Sequence, residues 1–251
     1  MLFRPKNSII VPFDYLGPES FQDFENQLHA IGEHYRFSKL SQIAEPIYQK
    51  KRQGFAAIVL ENPRKGVLLQ AVPALLSQKI PFTLFVDPDY VGLNRLPLEE
   101  ELESYQRAYP EKFLDSDFQK WCEVARLNPM EADLFLKKCR QNIGPLRVDE
   151  LDSFKFFTTW GKLLDLPPDL VEFGLKLSHS ISSLDQLTEK LRFVETMLKT
   201  KLVVLRAPQH GLPSTEVDLV TKRGFKAVLG HELSEVTQAT SPLDLPVWKL
   251  L

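Results

Sequence analysis

Residues 55–86 read FAAIVLENPRKGVLLQAVPALLSQKIPFTLFV, and this stretch carries the pattern that decides the fold. Phe55 to Leu60 is an unbroken apolar run, which is typical of a strand buried on both faces of a parallel sheet. Val67 to Gln78 has apolar residues at helical spacing, and Pro81 precedes a second apolar run at 82–86. A strand, a helix and a strand joined by short turns predict a βαβ unit.

The same alternation continues on both sides of this unit. Short apolar runs predict further strands at 8–13, 35–38, 171–177, 202–205 and 225–229, with a closing strand in the last residues. We therefore expect an α/β fold, a distorted (β/α)7–8 barrel formed by one domain over residues 1–251. Residues 95–150 differ, because they are rich in charged residues and are cut by prolines. We interpret them as a helical insertion over one rim of the barrel, with a separate helical domain as the alternative.

The composition is that of an ordinary globular protein. The 251 residues are 43% hydrophobic and 25% charged, and the formal net charge is −2. No basic excess indicates nucleic acid, and no apolar run near residue 1 is long enough for a signal peptide or a membrane span. We therefore expect a cytoplasmic protein, or an extracytoplasmic one if a signal has been removed. Cys122 and Cys139 fit no metal spacing; we expect buried free thiols, with a disulfide as the alternative.

Polar residues follow the ends of several predicted strands. In a (β/α) barrel the reactive groups lie where strands end and the following loops begin. Six residues occupy such positions here, namely Asp14, Glu61, Asp87, His179, Arg206 and His210. We expect their side chains to converge at one end of the barrel, where Arg206 could pair with Glu61 across the mouth.

The layout of these segments resembles that of the NodB-type polysaccharide deacetylases, also called carbohydrate esterase family 4. The spacing from Glu61 to Pro73 and on to Pro81 is similar to that between the family's first motif and its next strand. The passages 157–180, FTTWGKLLDLPPDLVEFGLKLSHS, and 202–211, LVVLRAPQHG, resemble two later motifs of the family. The resemblance covers most of the chain outside 95–150, and it implies a barrel of the NodB type.

The resemblance also implies roles for individual residues. Glu61 stands at the catalytic-base position and Asn62 at the first metal-ligand position, where the family has two Asp residues. His179 matches the first His of a His-Ser/Thr-x-x-His motif, and Ser183 stands in the place of the second, metal-binding His. Arg206 matches the arginine that orients the base. The resemblance therefore implies a degenerate metal site, in which Asn62 and Ser183 replace two of the three ligands.

These replacements bear directly on the chemistry that the resemblance implies. In metal-assisted amide hydrolysis the ion polarises the acetamide carbonyl and lowers the pKa of the attacking water, a carboxylate accepts the proton, and a His protonates the leaving amine. Asn62 offers a neutral oxygen and Ser183 a hydroxyl, which are poor ligands for such an ion. We therefore expect no cofactor, or a zinc-like divalent metal if the site is active after all.

From the sequence we predict a polysaccharide deacetylase-like protein whose metal-dependent de-N-acetylase activity is lost or much weakened. Whether the chain is an enzyme stays open at this point. Its expected partner is an N-acetylated glycan or a related small carbohydrate, with Trp160 and His210 as substrate-binding residues. Tyr15 and Tyr90 lie near predicted loops, where their rings could also stack on sugars. The alternative is a non-catalytic glycan-binding or scaffold protein that uses the barrel cleft or the helical insertion.

Overall fold

The computed structural model describes residues 7–13, 20–45, 54–92, 96, 98–112, 129–146, 155–177, 183–208, 214–234, 236 and 240–247. The chain divides into two compact units. Met1–Leu93 and Phe157–Leu251 form the first, which we call the barrel unit, and Asn94–Phe156 form the second, which we call the helical unit. No helix in the described ranges is both long enough and apolar enough to cross a membrane.

Eight strands are present in the described part of the barrel unit. They are β1 (Ile9–Phe13), β2 (Arg36–Phe37), β3 (Phe55–Leu60), β4 (Phe82–Val86), β5 (Val171–Lys176), β6 (Val204–Arg206), β7 (Ala227–Leu233) and β8 (Leu245–Val247). The strands pair in parallel in the order β1-β3-β4-β5-β6-β7-β8, and the short β2 also pairs with β3. Every strand predicted within the described residues is therefore confirmed, within a few residues at its ends.

The parallel sheet is nearly closed into a ring. Strand β1 lies against β8. Ser8, just before β1, exchanges two backbone hydrogen bonds with Val236, at 3.1 and 2.8 Å between nitrogen and oxygen. Helices of the same unit are α1 (Phe21–His34), α2 (Leu40–Ala44), α3 (Val72–Ser77), α6 (Trp160–Leu164), α7 (Leu184–Leu198) and α8 (Ser214–Lys222). The predicted α/β barrel is confirmed.

Strand alternation divides the apolar core of the barrel unit into two layers. One layer lies between the sheet and the surrounding helices, and it includes Ile58 of β3, Leu84 of β4 and Leu28 of α1. The other layer consists mostly of strand residues of opposite parity together with residues of helix α2. Because successive side chains of a strand point to opposite faces, this second layer fills the inside of the barrel. Its members include Ile10, Leu40, Ala57, Val59, Phe85, Val204, Ala227, Leu229 and Leu245.

Helix α2 is fixed at the end of the barrel where the strands begin. The Leu40 backbone N–H donates to Thr83 Oγ1 at 3.1 Å, and the Thr83 hydroxyl donates to Glu172 Oε2 at 2.9 Å. The Ser41 N–H donates to the same carboxylate oxygen at 3.1 Å. The Glu172 carboxylate therefore satisfies a donor of the first helical turn, where negative charge is also favoured by the helix dipole.

The predicted helix over 67–78 contains an irregularity. Residues Val67–Ala71 form a π-helical turn before α3, and the Val72 N–H donates to Val67 O, five residues back. Pro73 follows at the start of α3. Proline has no N–H to donate to the carbonyl four residues earlier, so the ladder of hydrogen bonds is already interrupted at this point.

The helical unit contains α4 (Leu98–Ala108), a 3₁₀ turn at Pro110–Lys112 and α5 (Pro129–Asn142). Its own small core includes Leu102, Tyr105, Leu136 and the buried Cys139, which is not disulfide-bonded. The Tyr105 hydroxyl donates to Gly144 O at 2.9 Å, and burial raises the pKa of Tyr105. The bounds of this unit, 94–156, agree closely with those of the predicted helical segment, 95–150. Its interpretation as an insertion within one domain stays a prediction. Cys122 lies outside the described residues.

Candidate functional site

Polar side chains replace apolar ones on the inner face at the carboxyl ends of four neighbouring strands. Val59, Phe85 and Val204 belong to the layer inside the barrel. Residues two positions further along each strand point to the same side, and the same alternation applies along β5. These positions are Glu61 after β3, Asp87 after β4, Lys176 at the end of β5 and Arg206 at the end of β6. Parallel strands end at one edge of the sheet, so these four residues lie on one rim.

Close contacts join Glu61, Asn62, Lys176 and Arg206, which we call the rim cluster. Arg206 Nη2 lies 2.6 Å from Glu61 Oε1, and only 4% of the Arg206 side chain and 13% of the Glu61 side chain are exposed. Arg206 Nη1 also donates to the backbone oxygens of Gly230 and Leu229 on β7. The guanidinium therefore links β6, β7 and the turn after β3. The predicted pairing of Arg206 with Glu61 is confirmed.

Lys176 contributes the second positive charge of the rim cluster. Its ammonium donates to Asn62 Oδ1 at 3.2 Å and lies 3.8 Å from Glu61 Oε2. Asn62 is buried, with 4% of its surface exposed, while 19% of the Lys176 side chain is exposed. The two oxygens of Glu61 are therefore approached by two different cations, and Lys176 also engages the amide oxygen of Asn62.

Asp87 directly follows β4, which lies between β3 and β5 in the order of strands. It is buried, and one of its carboxylate oxygens accepts the Asp89 backbone N–H at 2.9 Å. Two formal negative charges, on Glu61 and Asp87, and two formal positive charges, on Lys176 and Arg206, thus occupy four successive strand ends. The formal charges of these four described residues balance.

Ser183 has a structural role in this fold. It is the N-cap of helix α7, and its hydroxyl oxygen accepts the Gln186 backbone N–H at 3.2 Å. Such a cap typically stabilises a helix by about 1 kcal/mol. His179 and His210, which the sequence predicts to be a metal ligand and a substrate-binding residue, lie outside the described residues. Asp14 and Tyr15 also lie outside them.

The predicted sugar-stacking aromatics pack against other rings. The Trp160 ring meets Phe193 of α7 edge to face, with centroids 5.5 Å apart, and the Tyr90 ring stacks on Phe157 at 5.2 Å. A Cβ placed on Gly92 would lie 3.3 Å from Trp160 Cδ1, so the backbone after β4 passes close to this ring. The described contacts of Trp160 thus place it beside α7, and its role in binding a substrate stays a prediction.

Lys176 is the member of the rim cluster that the sequence reasoning misses. A detectable signal exists in the strand VEFGLK at 171–176. Val171, Phe173 and Leu175 alternate with Glu172 and Lys176, so a strand enclosed by its neighbours must place two charged side chains on its second face. Buried charges are normally paired, which makes Lys176 a candidate for the partner of a carboxylate at the same rim.

Within the described residues, the polar side chains of the implied metal site already have other partners. In those parts of the chain that the structure describes, no three His, Cys, Asp or Glu side chains are grouped to hold one. Asn62 Oδ1 accepts a hydrogen bond from an ammonium, and the Ser183 oxygen accepts one from the helix backbone. The Glu61 carboxylate is bound by a guanidinium at 2.6 Å. The oxygens at two ligand positions implied by the resemblance, on Asn62 and Ser183, therefore accept hydrogen bonds, and the carboxylate at the implied base position is engaged by a guanidinium.

Comparisons with known proteins identify the fold. No family model and no curated protein matches this chain. The structure of IcaB from Ammonifex degensii matches with a TM-score of 0.65 and 13% identity, over 98% of this chain and 93% of that one. The deacetylase PplD of Streptococcus pyogenes, solved in complex with acetate, matches with a TM-score of 0.60 and 10% identity, over 98% and 93%. The BpsB deacetylase domain from Bordetella bronchiseptica matches with a TM-score of 0.55 and 9% identity, over 98% and 94%.

The fold is therefore the NodB-type polysaccharide deacetylase barrel, as the resemblance in sequence implies. These matches extend over nearly the whole chain. At such low identities these matches show the fold alone. The role of the rim depends on the side chains that this chain places there.

Proposed function

We propose that this protein binds an N-acetylated glycan at the mouth of a deacetylase-like barrel and has lost metal-dependent de-N-acetylase activity. The scaffold supports the first part, because ligands of (β/α) barrels bind at the carboxyl ends of the strands. The second part depends on one observation: the Lys176 ammonium lies against both Asn62 Oδ1 and Glu61 Oε2.

The positive charge of this ammonium would repel a metal ion bound beside the same two oxygens. A divalent ion about 4 Å from a single positive charge is disfavoured by about 8 kcal/mol at an effective dielectric constant of about 20. Structural zinc sites with complete ligand sets gain about 10–16 kcal/mol on binding, so such a repulsion would cancel about half or more of that gain. Replacement of an anionic ligand by the neutral Asn62 weakens binding further.

Glu61 is also poorly suited to act as a general base in this arrangement. A base must accept a proton from water, and its oxygens need access to that water. Glu61 is largely buried, and its carboxylate contacts Arg206 and Lys176. Little of the Glu61 carboxylate is therefore accessible to a water molecule.

The test is a combined assay of the wild-type protein. The protein is purified from medium containing zinc, cobalt and nickel, its metal content is measured, and acetate release from a chitin oligomer is followed with an active deacetylase as positive control. Calorimetry with the same oligomer measures binding. We expect binding of the oligomer with substoichiometric metal and no acetate release. Stoichiometric metal together with acetate release would show a working hydrolase, and absence of oligomer binding would remove the glycan-binding part.

A further inference from the structure

We propose that the ammonium group of Lys176 is the resident cation of the barrel mouth and takes the place there of a bound divalent metal ion. This inference rests on the proposed function in treating the rim as the binding site. It goes further because it assigns the change in metal dependence to one side chain. Lys176 is then a positioning residue: it holds Asn62 where a metal ion would otherwise hold this ligand, and it lies beside Glu61 at the base position.

The contacts of Lys176 are those expected of a bound cation. Its nitrogen lies 3.2 Å from an amide oxygen of the turn after β3 and 3.8 Å from a carboxylate oxygen of the same turn. Both oxygens belong to adjacent residues, Glu61 and Asn62, which follow a strand buried along its length. An ammonium is a compact point charge with three donors, so from one position it can donate a hydrogen bond to the Asn62 oxygen and attract the Glu61 carboxylate.

The position of Lys176 is fixed by the fold below it. Residue 174, two positions earlier on the inner face of β5, is a glycine against which the ring of Phe85 packs. The side chains of Phe85 and Val204 therefore fill the space beside Gly174, and Lys176 follows at the rim. The first four carbons of a lysine side chain can pack along apolar surface while its head reaches polar groups.

The charge balance of the rim agrees with this assignment. The formal charges of Glu61 and Asp87 are matched by those of Lys176 and Arg206, so these four described side chains need no further cation to neutralise them. A divalent ion added to these four side chains would leave an excess of positive charge in a largely buried place. Asn62 is also consistent with a lysine partner, since a neutral oxygen meets an ammonium without adding an uncompensated charge.

Cobalt(II) binding to four chains tests the assignment: wild type, Asn62→Asp, Lys176→Met, and the double variant carrying both changes. Binding is measured by equilibrium dialysis and by the d–d absorption that appears when protein groups coordinate cobalt. We expect the double variant to bind cobalt about tenfold or more tightly than wild type, because one negative charge is gained and one positive charge is removed. Asn62→Asp alone should show no such gain, because Lys176 would pair with the new carboxylate.

Three results would overturn the proposal: stoichiometric cobalt in wild type, equal binding by Asn62→Asp and the double variant, or no gain in the double variant. Lys176→Arg combined with Asn62→Asp is the matched control, since it keeps a cation and should bind no cobalt. If Lys176→Met does not fold, as judged by near-ultraviolet circular dichroism, Lys176→Gln replaces it in the double variant. Acetate release by wild type without bound cobalt would contradict the proposed function and leave the role of Lys176 intact.

Discussion

Lys176 and Asn62 are joined by a hydrogen bond of 3.2 Å, and Glu61 and Arg206 by an ion pair of 2.6 Å. At the scale of residues, the function that we propose for the barrel mouth depends on these two contacts. Glu61 was predicted from the end of a strand, and its pairing with Arg206 followed from the position of both residues at strand ends. Lys176 was not predicted, because the motif that resembles the family lies at His179, after β5, whereas Lys176 lies within the strand.

Glu61→Gln is expected to destabilise the protein by about 3 kcal/mol, because it leaves the buried guanidinium of Arg206 without its carboxylate. The glutamine side chain has nearly the same shape, so the loss of charge is the main change. Urea unfolding followed by circular dichroism measures the free energy of unfolding.

The matched control for this variant is Glu232→Gln, at an exposed position of β7. It should change the free energy of unfolding by less than about 0.5 kcal/mol. Equal effects of the two changes would show that the Glu61–Arg206 pair contributes little to stability.

At the scale of elements, the sequence was most informative where apolar runs were bounded by glycine and proline. Strands β3 and β4 occupy the predicted residues 55–60 and 82–86. The π-helical turn before α3 was missed, because periodicity alone does not distinguish hydrogen bonds to the fourth and the fifth residue back. The close packing inside the barrel was missed for a similar reason, since it depends on contacts between strands far apart in sequence.

Gly174→Ala is expected to destabilise the protein by about 1–3 kcal/mol through overpacking. A Cβ at this position would lie 2.4 Å from Phe85 Cε1 and 2.8 Å from Val204 Cγ2. Gly161→Ala in α6 is the control, because its Cβ would meet nothing within 4 Å and alanine favours the helix. Urea unfolding compares the two, and equal midpoints would contradict the packing of Phe85 against β5.

Thr83→Val is expected to destabilise the protein by about 1–3 kcal/mol, because it leaves the Leu40 N–H without the hydroxyl that accepts its hydrogen bond. Amide hydrogen exchange should accelerate at Leu40 more than in helix α7, whose described residues make no hydrogen bond to the Thr83 hydroxyl. Thr221→Val, at an exposed position of α8, is the control. Unchanged exchange at Leu40 would show that the hydroxyl does not hold α2 at the end of the barrel.

At the scale of the whole molecule, the order of strands and helices preserves a deacetylase scaffold at 9–13% identity to the matched structures. The spacing of apolar runs was sufficient to predict an α/β barrel, because a barrel depends on where strands and helices begin and end, and the resemblance of the motifs implied the deacetylase type. The function of the mouth was less predictable, because it depends on which side chains meet there across β3, β5 and β6. The roles predicted for His179 and His210 stay predictions.

Replacement of residues 94–156 by a Gly-Ser linker of about four residues should leave the barrel unit folded. The backbone ends on either side are already adjacent, since the Gly92 N–H donates to Thr158 O at 2.9 Å. The helical unit also has its own core. Circular dichroism should show less helix with cooperative unfolding retained, whereas a noncooperative transition would show that the barrel unit depends on the deleted residues.

The most direct test of the resident cation is a crystal structure of the wild-type protein grown with cobalt, with anomalous data collected at the cobalt absorption edge. We predict that Lys176 Nζ lies within hydrogen-bonding distance of Asn62 Oδ1 and that no anomalous peak lies beside Glu61. An anomalous peak coordinated by Asn62 or Glu61, with the Lys176 side chain turned away from both, would contradict the account.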